Sequence, residues 1–183
     1  ARTVKADLIE KLGRDIVFEN DLMAFAYSEA NGGAGDGHRM LGVILGTGLG
    51  AGLCSEKGES LGENQLALEH GHISFPWKMA QKYELPLRDC GCGSKGCAEA
   101  YLAGPGLLWL AERHEKYYQS ASGLMQEVRD GDEVAQKIFS IYLDCLAAHF
   151  ADLVHILQPS VFVLGGGLSK IPGLYKELPG MLS

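Results

Sequence analysis

Three cysteines within eight residues constrain this chain more than any other feature of its sequence. Glycines separate and flank them, which lets the backbone turn tightly enough to direct three thiolates at one point. Three thiolates and one imidazole complete the tetrahedral coordination of zinc and leave no position open for water. The sequence therefore predicts a structural zinc site formed by Cys90, Cys92, Cys97 and one of two upstream histidines, His70 or His72.

The number of cysteines and the net charge exclude several classes of protein. Five cysteines are an odd number and three have metal-binding spacing, so we expect a reducing cytoplasmic environment rather than a disulfide scaffold. The other two, Cys54 and Cys145, lie in apolar patterns typical of buried, unreactive thiols. A net charge of −7 without a basic stripe argues against nucleic acid and anionic membranes as partners of this segment. No uninterrupted apolar run approaches the roughly 20 residues that span a bilayer.

Helical and strand-like patterns alternate along the chain, which predicts an α/β fold. The predicted helices cover 6–13, 22–30, 107–118 and a long segment that Asp130 and Glu133 open as a capping box. The predicted strands cover 16–18, 41–45, 53–54 and 161–164. The chain starts without a methionine and stops at 179–183 without an obvious terminal element. We therefore interpret it as a fragment of a longer protein.

Two glycine-rich turns, Gly46-Thr47-Gly48 and Gly165-Gly166-Gly167, each follow an apolar strand pattern. Because glycines lack side chains, phosphate oxygens can approach the backbone N–H groups, and the threonine hydroxyl adds a donor. Neither turn is a Walker loop, and neither fits the dinucleotide-binding glycine fingerprint. A glycine-rich hairpin without any ligand is the alternative interpretation of the first turn.

Asn20-Asp21 stands where a predicted strand stops and a helix begins. One interpretation is an N-cap, in which the carboxylate accepts hydrogen bonds from free N–H groups of the helix. The other is a carboxylate directed into a cleft, able to take a proton from a substrate hydroxyl. The sequence favours neither interpretation over the other.

Two further carboxylates lie beside the predicted zinc ligands. Glu69 precedes His72 by three residues and Glu99 follows Cys97 by two, so a bound metal would fix the position of both side chains. Two immobilised carboxylates are suited to accepting hydrogen bonds from a polyol. We therefore predict a zinc-binding segment over about 69–99 that also presents acceptors to a ligand.

Taken together, these residues resemble the ROK family (repressors, open reading frames and sugar kinases). The matching motifs are Glu69-x-Gly71-His72, Cys90-x-Cys92-Gly93-x-x-Gly96-Cys97-x-Glu99, Asn20-Asp21, Leu45-Gly46-Thr47-Gly48 and Gly165-Gly166-Gly167-Leu168-Ser169. Within the family, the stretches 86–93 and 101–104 are most similar to bacterial N-acetyl-D-glucosamine kinases, with fructokinases and glucokinases next. The resemblance covers nearly all of residues 1–183.

The resemblance implies an actin/hexokinase-like (ribonuclease H-like) lobe with a zinc-binding insertion, and a site where ATP with Mg²⁺ meets a sugar. In this reading Asp21 is the catalytic base for the sugar 6-hydroxyl. The implied sugar-binding residues are Asn20, Glu69, His72 and Glu99. The implied nucleotide-binding residues are Gly46, Thr47 and Gly48 for the phosphates and Gly165, Gly166 and Gly167 for the nucleoside. The implied zinc ligands are His72, Cys90, Cys92 and Cys97.

The chain departs from the family pattern at both ends. The acidic, glycine-rich phosphate loop of the family's N-terminal lobe does not precede Asp21, and no final helices are expected after Gly167. We therefore expect this segment alone to bind zinc without phosphorylating a sugar.

Alternative functions remain open beside an N-acetyl-D-glucosamine kinase. A fructokinase or glucokinase, a sugar-sensing ROK repressor and a zinc-stabilised interaction module all accommodate part of the pattern. Retention of Asp21 and of an intact 46–48 turn favours a kinase over the repressor. The resemblance also implies a homodimer.

Overall fold

The computed structural model describes residues 3–61 and 68–182, which form an α/β lobe around one three-stranded mixed sheet. The strands are β1 (Met40–Leu45), β2 (Leu49–Cys54) and β3 (Val161–Gly165), in the order β2-β1-β3. The helices are α1 (Val4–Leu12), α2 (Asp21–Ala30), α3 (Trp77–Lys82), α4 (Glu99–Leu102), α5 (Gly104–Glu112), α6 (Ala121–Arg129), α7 (Glu133–Leu157) and α8 (Pro172–Met181). Short 3₁₀ turns cover His70–His72 and Gly167–Lys170.

The topology of the sheet brings the two glycine-rich turns to one edge. β1 and β2 form an antiparallel hairpin in which Leu45 pairs with Leu49, so residues 46–48 are its loop. β3 runs parallel to β1, and Ile44 pairs with Gly165. Because the carboxyl ends of parallel neighbours lie at the same edge, the 46–48 and 165–167 turns become neighbours there.

Helices cover both faces of the sheet. On one face α2 lies against β1 and β2, where Gly42 and Gly52 leave room for Ala26. On the other face Leu41 and Val43 join the main hydrophobic core, to which α4–α8 contribute. Burial of these apolar side chains is the main source of stability.

The long helix α7 is the central element of that core. Its 25 residues include Tyr142, Leu146 and Phe150, which are almost fully buried. By length and mean hydropathy (1.3 over its most apolar window) it meets the criteria for a membrane span, yet half of that window is buried inside the fold. A core helix passes the same test, so this property is weak evidence for a membrane.

Several sequence-based expectations are confirmed. Helix α1 ends at a left-handed Gly13 whose N–H donates to the Ile9 carbonyl, as expected for a glycine C-cap. Helix α2 and strands β1 and β3 lie within a residue of their predicted ranges. The alternation of helices and strands is that of the predicted α/β class.

Other expectations are wrong. Residues 16–18 form no strand, and Val17 is 84% exposed, so the apolar triplet has no sheet partner. Helix α7 is capped by Asp132, whose carboxylate accepts from the Ala135 N–H at 2.7 Å, rather than by Asp130. Helix α5 ends at Glu112 instead of 118, and helix α8 follows the triple glycine although no further helix was expected there.

Candidate functional site

A cleft of about 810 Å³ opens at the sheet edge where the two glycine-rich turns meet. The sequence-predicted residues that line it are Asp21, Gly46, Thr47, Gly48, Glu69, Glu99, Gly166 and Gly167. Residues separated by more than 140 positions in the chain therefore share one cavity. Asn20, His72 and Gly165 are not among the lining residues.

The beginning of α2 shows that Asn20 and Asp21 have different roles. Asn20 is the N-cap, and its Oδ1 accepts a hydrogen bond from the Leu22 N–H at 2.9 Å. Asp21 is the first helical residue and faces the cleft, with Oδ1 3.0 Å from the same N–H. The N-cap side chain is therefore the Asn20 amide and not the Asp21 carboxylate, which lies at the first helical position and lines the cleft.

The glycine-rich turns are shaped by backbone contacts. In the hairpin loop the Gly46 N–H donates to the Gly48 carbonyl at 3.0 Å, while Thr47 is exposed at the tip. Gly166 has φ 84°, a conformation that favours glycine, and a Cβ there would lie 2.5 Å from the Leu45 carbonyl oxygen. Close approach of the two turns therefore requires glycine at this position.

Residues that follow the last cysteine hold the hairpin loop at both ends. The Gly104 N–H donates to the Gly46 carbonyl at 2.7 Å. The Glu99 Oε2 accepts from the Leu49 N–H at 2.9 Å, and Oε1 lies 3.9 Å from the Cys90 sulfur. Glu99 therefore connects the hairpin loop with the cysteine cluster, a contact that its sequence position does not reveal.

The three cysteines converge with His72, and not with His70. The four potential ligand atoms, on His72, Cys90, Cys92 and Cys97, all lie within 4.8 Å of one another. Cys90 Sγ is 3.7 Å from His72 Nδ1, and the sulfurs of Cys92 and Cys97 are 3.7 Å apart. Zn–S bonds of about 2.3 Å in a tetrahedron place sulfurs about 3.8 Å apart. The cluster therefore fits the predicted Cys₃His zinc site.

Backbone pairing within the segment assembles this cluster. The Ala98 N–H donates to the Ile73 carbonyl at 2.9 Å, which brings Cys97 beside the 3₁₀ turn that carries His72. The Cys90 N–H donates to the Ser94 carbonyl at 2.8 Å and closes the loop between the first two cysteines. The intervening chain, predicted to be irregular, contains the short helix α3.

The cysteine thiols differ in their acidity. Hydrogen bonds from the Ser94 backbone and hydroxyl lower the pKa of Cys92 to about 7. Removal from solvent raises the pKa of Cys97 to about 12, and the neighbouring sulfurs act in the same direction. Cys92 is thus more readily available than Cys97 as a thiolate, the form that binds metal.

The 3₁₀ turn places its two histidines in different surroundings. His72 directs Nδ1 to the cysteines, and its Nε2 lies 3.9 Å from a carboxylate oxygen of Glu69, which lines the cleft. His70 points inward and is 5% exposed. Gly71 lies between them against β2, where a Cβ would be 2.1 Å from the Leu49 carbonyl oxygen. The turn therefore has little freedom to shift.

Part of the cleft was not anticipated from the sequence. The additional lining residues in and before α5 and α6 are Gly104, Pro105, Leu108, Ser120, Ala121 and Ser122. These residue types have no distinctive chemistry, and no local pattern marks them. Their contribution follows only from the way α5 and α6 pack beside the glycine-rich turns.

Comparison with known proteins identifies the family. The model of the ROK family matches residues 2–183. The N-acetylgalactosamine kinase AgaK of Shewanella sp. (strain ANA-3) is 41% identical over 179 residues, which are 97% of this chain and 58% of that relative. The N-acetyl-D-glucosamine kinase of Shigella boydii serotype 4 (strain Sb227) is 35% identical over 184 residues, 99% of this chain and 61% of that relative. The chain thus spans about 60% of the length of these relatives.

Solved structures share the fold. The ROK hexokinase from Thermus thermophilus superposes with a TM-score of 0.80 at 30% identity, covering 97% of this chain and 58% of that one. A ROK family glucokinase from Streptomyces griseus, in complex with glucose and AMPPNP, gives 0.76 at 28% identity, with coverages of 98% and 62%. A ROK family transcriptional regulator, at 19% identity and coverages of 98% and 46%, gives 0.78, so the fold alone does not separate kinases from regulators. The match over almost the whole chain, together with the Cys₃His cluster and the glycine-lined cleft, shows that this chain belongs to the ROK family.

Proposed function

We propose that the full protein carrying this chain is an ATP-dependent sugar kinase that phosphorylates the 6-hydroxyl of an N-acetylhexosamine, with N-acetyl-D-glucosamine as the substrate. The observation that carries the proposal is the single cleft that contains a carboxylate at a helix start, two further carboxylates and two glycine-rich turns. The two relatives named above, which are N-acetylhexosamine kinases, support this substrate class. Fructose and glucose are the alternatives within the family.

Asp21 is the proposed general base. Its carboxylate faces the cleft, so it can take the proton of the sugar 6-hydroxyl as that oxygen attacks the γ-phosphate of ATP. The hydrogen bond from the Leu22 N–H orients the carboxylate. Asn20, fixed as the N-cap, holds the start of the helix and is the proposed neighbour of the sugar on this side.

The glycine-rich turns are the proposed nucleotide site. Gly46, Thr47 and Gly48 contact the phosphates, and Gly165, Gly166 and Gly167 contact the nucleoside. Gly166 and Gly167 line the cleft beside the hairpin loop, which supports this division. Mg²⁺ enters with ATP, because phosphoryl transfer depends mainly on positioning and on neutralisation of the phosphate charge.

The zinc-binding segment, 69–99, is the proposed sugar-holding part of the ROK kinase segment 1–183. Glu69 and Glu99 line the cleft and accept hydrogen bonds from sugar hydroxyls. His72 stands behind Glu69, with Nδ1 3.7 Å from the Cys90 sulfur and Nε2 toward that carboxylate. His72, Cys90, Cys92 and Cys97 would hold zinc, which would supply structure, since four protein ligands leave no position for water.

The rival function is a sugar-sensing repressor of the same family. A sensor needs neither a base nor a phosphate loop, and both Asp21 and the 46–48 turn are present in the cleft.

We also propose that the full protein is a cytoplasmic homodimer. The metal-type spacing of the cysteines supports the compartment, and the family resemblance supports the dimer. Sedimentation of the full protein tests the dimer.

The test measures ADP release from Mg·ATP by the full protein, with Asp21→Asn as the control. The sugars compared are N-acetylglucosamine, N-acetylgalactosamine, N-acetylmannosamine, glucose, mannose and fructose. Turnover with N-acetylglucosamine that is lost in Asp21→Asn supports the proposal. A preference for another sugar would make that sugar the substrate instead. Sugar binding without ADP release from any sugar favours the repressor. The 183-residue chain alone is expected to bind zinc without turnover.

A further inference from the structure

Two buried histidines form a pair that the proposed reaction does not use. His70 Nδ1 and His149 Nε2 are 2.9 Å apart, and the rings stack with centroids 5.1 Å apart. His70 is 5% exposed and His149 is fully buried. One residue lies in the 3₁₀ turn beside the cleft and the other lies on the core helix α7.

Two imidazoles are less favourable in a protein core than apolar side chains of similar size. A neutral imidazole pair shares one N–H between the facing nitrogens. Of the outer nitrogens, His149 Nδ1 has no hydrogen-bond partner, and His70 Nε2 has none at regular hydrogen-bond geometry, although the Gly50 backbone interacts with the His70 ring. Buried polar atoms without partners destabilise the folded state, and apolar side chains of similar shape would avoid that cost. Packing alone therefore does not explain the pair, whereas a directional contact does.

The direction of the contact matters because of what flanks His70. Its neighbours in the turn are Glu69, which lines the cleft, and His72, which belongs to the zinc cluster. Gly71 packs directly on the Leu49 carbonyl, so the backbone of the turn cannot move toward β2. A fixed His70 ring would limit rotation of the turn about this contact.

Helix α7 is a suitable anchor because it also holds the zinc-binding segment and the helix α4 that follows its last cysteine. Tyr142 donates a hydrogen bond at 2.8 Å to the carbonyl of Leu102, the last residue of α4. Asp144 accepts from Lys82 and Tyr83 at the end of α3. Of these polar contacts, the one made by His149 has the partner nearest to Glu69, because His70 is the next residue in the chain.

We propose that His149 is a positioning residue for sugar binding, which acts through its hydrogen bond to His70 to fix the turn that presents Glu69 to the cleft. The inference rests on the proposed function, because it takes a sugar as the ligand of Glu69. His149 touches neither substrate nor metal in this role. It orients Glu69, which is the residue proposed to contact the sugar.

The test uses the full protein and compares three changes: His149→Leu, His149→Gln and the double change His70→Leu with His149→Leu. The dissociation constant of N-acetylglucosamine is measured by calorimetry beside the KM values for sugar and ATP. His149→Leu should weaken sugar binding about tenfold, as loss of an outer contact to a binding residue does. The KM for ATP should stay unchanged. His149→Gln, whose amide reaches the position of Nε2, should restore most of the sugar affinity.

The double change separates positioning from stability. It removes both polar partners, so it should fold and regain thermal stability relative to His149→Leu, yet its sugar affinity should stay about tenfold weaker. Asp144→Asn is the matched control, because it alters another contact of α7 with the same segment and should leave sugar affinity within twofold.

The outcomes distinguish the inference from the proposed function. Wild-type sugar affinity in the folded double variant would overturn the positioning role, whatever its effect on stability. Equal losses in His149→Gln and His149→Leu would also overturn it. If the unaltered protein binds sugar without turnover, the kinase proposal fails while the affinities still test the inference. If it binds none of the six sugars compared above, both fail.

Discussion

The two halves of the cleft are built in opposite ways. The half formed by the glycine-rich turns depends on backbone hydrogen bonds and on missing side chains, as at Gly46 and Gly166. The zinc-binding half depends on side chains that converge from separate loops. The first half is shaped by the sheet itself, whereas the second combines a Cys₃His ligand set with the buried contacts of α7. We therefore expect the halves to respond differently to mutation, pH and metal removal.

The largest effect is expected at Asp21, where the cleft has its proposed base. Asp21→Asn keeps the shape of the side chain but removes its basicity, so turnover should fall by about 10²–10⁴-fold. Sugar affinity should change little. Steady-state ADP release and sugar calorimetry on the full protein measure both quantities. Turnover within tenfold of the unaltered protein would mean that another group accepts the proton.

Acid pH should weaken the zinc-binding half through the histidine pair. Burial lowers the pKa of His70 to about 4, although a backbone interaction at Gly50 acts in the opposite direction. Burial lowers the pKa of His149 to about 3, and the neighbouring His70 imidazole lowers it further. Unfolded histidines titrate near 6.5, so below that pH the unfolded state binds more protons and stability falls toward pH 4. Each imidazole can contribute up to about 2 kcal/mol of lost stability between pH 7 and pH 5.

Urea unfolding at pH 7 and pH 5 measures that loss. The double change His70→Leu with His149→Leu is the control, since it retains the zinc cluster and every other titrating group. Its pH dependence should be shallower than that of the unaltered protein. Identical slopes for the two proteins would contradict the assignment of the acid sensitivity to this pair.

Loss of zinc should affect the two halves of the cleft to different extents. Cys92→Ser removes one ligand, so Glu99 and His72 lose their anchor and sugar affinity should fall by about 10–100-fold. Nucleotide affinity should fall less, because the hairpin loop keeps its own backbone bonds. Metal content by mass spectrometry and calorimetry with sugar and an ATP analogue give the comparison. Unchanged sugar affinity in the zinc-free variant would contradict the proposed coupling.

A methyl group in the glycine-rich half should lower the stability of the fold. Gly166→Ala introduces a Cβ 2.5 Å from the Leu45 carbonyl oxygen at φ 84°, which should cost about 1–3 kcal/mol of stability. Gly167→Ala is the control, because nothing lies within 4 Å of its Cβ. Thermal unfolding of both variants tests the difference. Equal melting temperatures would show that the turn adapts.

Local patterns predicted the elements that depend on neighbouring residues. The left-handed Gly13 cap, helix α2 and the buried strand β1 follow from spacing and residue type within a few positions. The apolar triplet 16–18 was misread because strand patterns are stable only with a partner, and no strand lies beside it in the described part of the chain. No helix is expected from the sequence after Gly167, yet α8 forms there, with its Leu174 and Leu178 buried.

The sequence by itself determined three of the four potential metal ligands, because three cysteines at short spacing can reach one metal ion. It also determined the two glycine-rich turns and the carboxylates beside the ligands. Only the tertiary structure decided which histidine joins the cysteines. His70 is drawn away by His149, 79 residues later, and that long-range packing leaves His72 as the one at the cluster. The link from Glu99 to the Leu49 amide, across 50 residues, was likewise decided by how the chain folds, since sequence spacing carries no information about such distant contacts.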